Sequence, residues 1–94
     1  MAKKAYTILI IEDEPDISEL IEYSLTQSGY SIIVSDNGEK GIEVTRKHSP
    51  DLILLDLMLP GINGIDVCRI LKNDKETSDV SIIMLTALGQ EEDI

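Results

Sequence analysis

Three uninterrupted aliphatic runs constrain this chain more than any other feature. Residues 8–11 read ILII, residues 52–55 read LILL and residues 82–85 read IIML, with a weaker run, IIV, at 32–34. None alternates apolar with polar, so none suits a strand with one face in water. Continuous runs of this length are strands covered on both faces, as in parallel sheets. Helical patterns lie between them. Glu14, Pro15 and Asp16 put proline at a first helical position and acid in a first turn. Ile17, Leu20, Ile21 and Leu25 then recur at helical spacing, and Gly29 stands where a helix would stop. A second helix is expected over about 38–48, before Ser49 and Pro50, and a third over about 65–72 through Val67, Cys68 and Leu71. The order β-α-β-α-β-α-β with short polar connections predicts an α/β domain. Its sheet is parallel and doubly wound, with right-handed crossovers and helices on both faces.

Composition bounds what such a domain can do. At 94 residues, 43% of them hydrophobic, the chain is one domain with one core. Aromatic residues are 3%, all of them tyrosine, which excludes a stacking platform for single-stranded nucleic acid. The 18 acids outnumber 8 bases, a net charge of −10 that repels nucleic-acid phosphates and anionic lipid. That charge suits divalent cations or a basic patch on a partner protein. Cys68 is the only cysteine, so no internal disulfide forms. The first apolar run ends at Glu12 and is too short for a signal-peptide core or a membrane span, so a cytoplasmic location is expected.

Ligands of open α/β sheets bind beyond the carboxyl ends of the strands. The first strand is followed by Glu12 and Asp13, the second by Asp36, the third by Asp56 and the fourth by Thr86 and Ala87. With 18 acids in 94 residues, about one position in five is acidic by chance. Three acidic strand ends out of four are therefore suggestive only. The sequel of the third strand is more specific: Asp56, Pro60 and Gly64 describe an acid followed by a rigid loop that enters a helix.

With Glu12 and Asp13, the Asp56…Pro60…Gly64 pattern and Thr86-Ala87 in this order, the chain resembles the receiver domain of two-component response regulators. The likeness extends across nearly all of its length. It implies the flavodoxin-like (CheY-like) strand order, 2-1-3-4-5 in the family, which sets Asp13 beside Asp56. It implies that Asp56 is the phosphoacceptor, taking a phosphoryl group from a histidine of a sensor histidine kinase in a Mg²⁺-dependent reaction. Asp13 would be a direct metal ligand, Glu12 a ligand directly or through water, and the backbone carbonyl of Met58 would complete the set together with Asp56. Thr86 would donate its hydroxyl to a phosphoryl oxygen, and the small Ala87 would leave room for it. Such a domain is a switch and not an enzyme, since it catalyses only its own phosphorylation and dephosphorylation. Elementary electrostatics agrees with the metal. Two carboxylates about 5 Å apart repel by about 3 kcal/mol at an effective dielectric of 20, and Mg²⁺ accepts a few carboxylates while keeping several waters.

The resemblance also implies elements beyond Ile94: a fourth helix, a fifth strand ending in a phosphoryl-contacting lysine and carrying an aromatic switch residue, and a fifth helix. On that comparison the sequence looks like a receiver truncated after the fourth strand, with order 2-1-3-4. Phosphorylation is then expected to be slow or undetectable, and an exposed fourth strand is expected to promote self-association. Other residues have plainer readings. Asp36 is a cap or loop acid, Cys68 belongs to the core, and His48 stands alone near a helix end without a nucleophile partner. Residues 90–93, QEED, are expected to begin another solvated helix. Two other functions compete. A Mg²⁺-dependent phosphatase with an aspartate nucleophile would want an acid two residues after Asp56, where Met58 stands. A non-switching interaction or dimerisation module would keep the fold without the phosphorylation.

Overall fold

The structure, a computed structural model, describes residues 5–85 and 91–93. The elements run β1 (Thr7–Ile11), α1 (Pro15–Gln27), β2 (Ser31–Ser35), α2 (Gly38–His48), β3 (Leu52–Asp56), α3 (Gly64–Asn73), β4 (Ser81–Leu85) and a three-residue β5 (Glu91–Asp93). Every aliphatic run is a strand. The sheet order is β2-β1-β3-β4-β5. The first four strands are parallel, with Ile8 opposite Ile32 and Leu52, and Asp56 opposite Leu85. This is the flavodoxin-like order expected, and it places β1 directly beside β3.

β5 differs from expectation. It pairs antiparallel with β4, matching Asp93 to Ile83, Glu92 to Met84 and Glu91 to Leu85. Residues 91–93 are therefore a strand and not the start of a helix. The outer edge of β4 is not open along its whole length, and the sheet has a short fifth member that was not expected. Geometry explains the direction. Five residues separate Leu85 from Glu91, whereas a parallel return needs a crossover of about a dozen residues or more.

The helices begin and end on local chemistry. Pro15 opens α1. At its far end Tyr30 N–H donates to Leu25 C=O and Gly29 N–H to Thr26 C=O, with Gly29 at φ 94°. That is a Schellman closure, and it needs a left-handed residue. Asn37 caps α2 by accepting from Lys40 N–H at 2.9 Å, and Asn63 caps α3 by accepting from Asp66 N–H at 2.9 Å. Arg46, Lys47 and His48 occupy the last turn of α2, where positive charge suits the helix dipole.

One face of the sheet packs Leu9, Ile11, Ile53, Leu55, Ile82 and Met84 against Ile42 of α2 and Val67, Cys68 and Leu71 of α3. The intervening Ile8 and Ile10 are buried on the other face, where α1 lies against β1 and β2. Cys68 is buried in the core, as expected. Lys72 donates to the carbonyls of Ser78 at 3.3 Å and Val80 at 2.6 Å, tying the end of α3 to the entry of β4. Among the described residues no helix is long and apolar enough to cross a membrane.

Candidate functional site

The carboxyl ends of β1 and β3 lie side by side, and acids follow or end both strands. One carboxylate oxygen from each of Glu12, Asp13 and Asp56 lies within 4.8 Å of the other two. Glu12 is buried at 5% exposure, Asp56 is half-buried and Asp13 is exposed. The three form a graded pocket, with its floor in the sheet and its rim in water. The ion pairs found among the described residues, Lys40–Asp36, Arg46–Asp74 and Arg69–Asp66, all lie elsewhere.

The fold holds these acids against their mutual repulsion. Glu12 N–H donates to Ser35 C=O at 3.0 Å, continuing the β1–β2 ladder past the end of the strand. Its own carboxylate accepts from Glu14 N–H at 3.1 Å. Burial pushes the Glu12 carboxyl up from 4.5 to about 7; the Glu14 N–H lowers it, and the Asp56 charge beside it raises it further. Burial makes ionising this carboxyl costly, and a cation beside it would relieve that cost. The donor set is three hard oxygen ligands on two adjacent strand ends with an open outer side. That set fits a divalent cation that retains waters.

Asp56 is oriented by its own loop. Met58 N–H donates to Asp56 Oδ1 at 3.1 Å, and Leu57 N–H donates to Leu85 C=O at 2.9 Å. The residues after Asp56 line an open depression of about 510 Å³ bordered by Asp13, Leu57, Met58, Pro60 and Ile65. Met58 is 66% exposed on its wall.

Of the site residues read from sequence, the structure brings Glu12, Asp13 and Asp56 together and places Met58 at their rim. Thr86 and Ala87 lie outside the described residues. Asp36 stands apart from the cluster. It accepts from the Asn37 side chain at 2.9 Å, and Asn37, not Asp36, caps α2. His48 ends α2, and no catalytic partner reaches it among the described residues. Two contributors were missed, the amides of Met58 and Glu14 that hold the carboxylates. Backbone donors carry no residue-type signal; only the loop geometry exposes them.

Fold and site together define a receiver domain. Residues 8–94 match the response regulator receiver domain family, and the chain belongs to it. It is 46% identical over 86 residues to the DNA-binding dual master transcriptional regulator RpaA of Synechocystis sp., covering 92% of this chain and 36% of that protein. It is 48% identical over 86 residues to the phosphate regulon transcriptional regulatory protein PhoB of Pseudomonas aeruginosa, covering 92% of this chain and 38% of that one. Among solved structures, the response regulator protein TrrA of Thermotoga maritima, in complex with Mg(2+)-BeF, is 38% identical. It superposes with a TM-score of 0.80 over 86% of this chain and 69% of that one. The chain thus spans a little over a third of the length of these two regulators.

Proposed function

We propose that this receiver domain accepts a phosphoryl group on Asp56 from a sensor histidine kinase, in a reaction that depends on Mg²⁺ held by Glu12, Asp13, Asp56 and the Met58 carbonyl. The observation that carries the reading is the convergence of three carboxylates within 4.8 Å at the ends of β1 and β3. The Mg(2+)-BeF complex of the T. maritima relative supports the choice of cation. Asp56 Oδ1 is engaged by the Met58 N–H, which fixes the carboxylate plane and leaves Oδ2 as the attacking oxygen. Oδ2 forms the bond to phosphorus as the donor's phosphorus–nitrogen bond breaks, and the histidine nitrogen leaves with the electron pair. A bound divalent cation would supply charge neutralisation for the three carboxylates and the transferring group. Glu12 and Asp13 would hold that charge beside Asp56, from positions that the adjacent ends of β1 and β3 set in advance. Thr86 is assigned the phosphoryl-oxygen donor role. The chain turns over nothing but its own phosphorylation, so it acts as a switch and not as an enzyme on an external substrate.

A cytoplasmic location follows from that partner. Direct nucleic-acid binding by this chain is disfavoured by its net charge of −10. Self-association through β4 is retained as part of the proposal, in a narrower form. Only Ser81 and Ile82 lie beyond the β4–β5 register, so pairing of whole β4 strands requires β5 to be displaced.

Treatment with a small phosphodonor and Mg²⁺, followed by intact-mass and peptide mass spectrometry, tests the assignment. The expected result is one hydroxylamine-labile adduct on Asp56, absent in Asp56→Asn and absent in EDTA. An adduct elsewhere, or one indifferent to Mg²⁺, refutes the assignment. Rapid multiple turnover points to a phosphatase. No adduct at any time points to a non-switching interaction module.

A further inference from the structure

We infer that Gly64 is a positioning residue for the acid cluster: its bare Cα lets the first turn of α3 seat directly on the Asp56–Leu57 peptide, and that seat fixes where the Asp56 carboxylate stands. The inference rests on the metal-binding reading above.

A Cβ at position 64 would collide with the carbonyl oxygen of Asp56 and lie 2.9 Å from Leu57 Cα and 3.1 Å from the Asp56 carbonyl carbon. All three are backbone atoms, so no side chain can swing aside. Glycine is not required here for its conformational freedom. Among the described residues the glycines with positive φ are Gly29 and Gly61, and Gly64 opens a regular helix that alanine would otherwise favour. The requirement is for space.

The peptide beneath is clamped on both sides. Leu57 N–H donates to Leu85 C=O at 2.9 Å, and Leu57 C=O accepts from Gly64 N–H at 3.1 Å. The second bond closes the 57–64 loop on itself. A methyl group at 64 must therefore lift α3 off the loop or tilt the Asp56–Leu57 peptide. A tilt shifts Asp56 directly relative to Glu12 and Asp13, and lifting α3 breaks the Gly64 N–H bond to Leu57 C=O that holds the loop after Asp56 in place. The Met58 N–H bond to Asp56 Oδ1 belongs to the same loop and moves with it.

Gly64→Ala is compared with Leu71→Ala, which removes a fully buried side chain of the same helix remote from the acids. Both variants should melt below the wild type. Mg²⁺ affinity is measured by calorimetry on the full chain, with trimethylamine N-oxide added to all samples to keep the variants folded. Amide shifts of Leu57 and Met58 are recorded by NMR without metal. The expected result is Mg²⁺ binding weakened tenfold or more in Gly64→Ala, with displaced Leu57 and Met58 amides. In Leu71→Ala, affinity should stay within twofold and those amides should not move. Wild-type affinity in Gly64→Ala, equal losses in both variants, or a Gly64→Ala chain that stays unfolded in the osmolyte would each overturn the positioning role. A wild-type chain that binds no Mg²⁺ would instead overturn the metal-binding reading on which it rests.

Discussion

Replacing Glu12 with Gln should stabilise the metal-free protein at pH 8 and leave it unchanged near pH 4. The Glu12 carboxyl is pushed up from 4.5 to about 7 by burial first, with the Asp56 charge adding to it, a gap of about 2.5. Each pKa unit between folded and unfolded states is worth about 1.4 kcal/mol, so the ceiling is roughly 3 kcal/mol. Asp13, beside it, is exposed. Water therefore screens the cluster, and about 1–2 kcal/mol is expected. The sign follows from proton counting. Below pH 4.5 both folded and unfolded chains hold the proton, and Glu12 carries no penalty. Between 4.5 and about 7 the unfolded chain releases it while the folded chain keeps it, so stability falls as pH rises. Above about 7 the penalty is complete. Gln is nearly isosteric, and its carbonyl can still accept the Glu14 N–H that now bonds the Glu12 carboxylate. The assay is urea denaturation of both proteins in EDTA from pH 4 to 8.5. The two stability curves should converge near pH 4, separate progressively from about pH 4.5, and reach their full gap above about pH 7, with the variant higher. Parallel curves, or a variant less stable at pH 8, would show that Glu12 is not held against its charge.

Mg²⁺ at millimolar concentration should raise the melting temperature of the wild type by linkage, and Asp13→Asn should remove most of that increase; an unchanged wild-type melting curve would mean the pocket does not bind the ion. Ser49 ends α2 as a non-glycine residue at φ 47°, so Ser49→Gly should stabilise the fold by about 0.5–1 kcal/mol, the left-handed strain outweighing the entropy glycine adds to the unfolded chain. Equilibrium melts check this, and a lower melting temperature would contradict it. If copies of the chain pair through β4, light scattering at high concentration should show a dimer that Ile83→Lys converts to monomer, with Mg²⁺ affinity retained; a wild-type monomer at high concentration would end that proposal.

Much of the architecture could be read from local pattern. Residues 8–11, 52–55 and 82–85 are strands because a four-residue run without a polar break can be buried only where both faces are covered. Pro15 and Gly29 mark the ends of α1 because capping is chemistry between near neighbours, whereas the caps of α2 and α3, Asn37 and Asn63, showed only in the structure. Residues 91–93 escaped such reading. Three acids carry no strand pattern, and their pairing with β4 comes from a short return that only the fold reveals. The site divides the same way. Glu12, Asp13 and Asp56 announce themselves as acids at strand ends, and Pro60 and Gly64 mark a constrained loop. Their proximity was supplied by family likeness, since periodicity alone does not order the strands.

The sequence by itself determined the first four strands and the three helices, the acidic character of the strand ends and the identity of the phosphoacceptor candidate. Tertiary structure alone decided that Glu12 is buried while Asp13 beside it is exposed, and that the Met58 amide turns back onto Asp56. It alone showed that α3 rests on the Asp56 backbone through Gly64. The difference is physical. Secondary structure answers to spacing along the chain, whereas a carboxylate's charge state and aim answer to atoms that the crossovers bring beside it from distant segments.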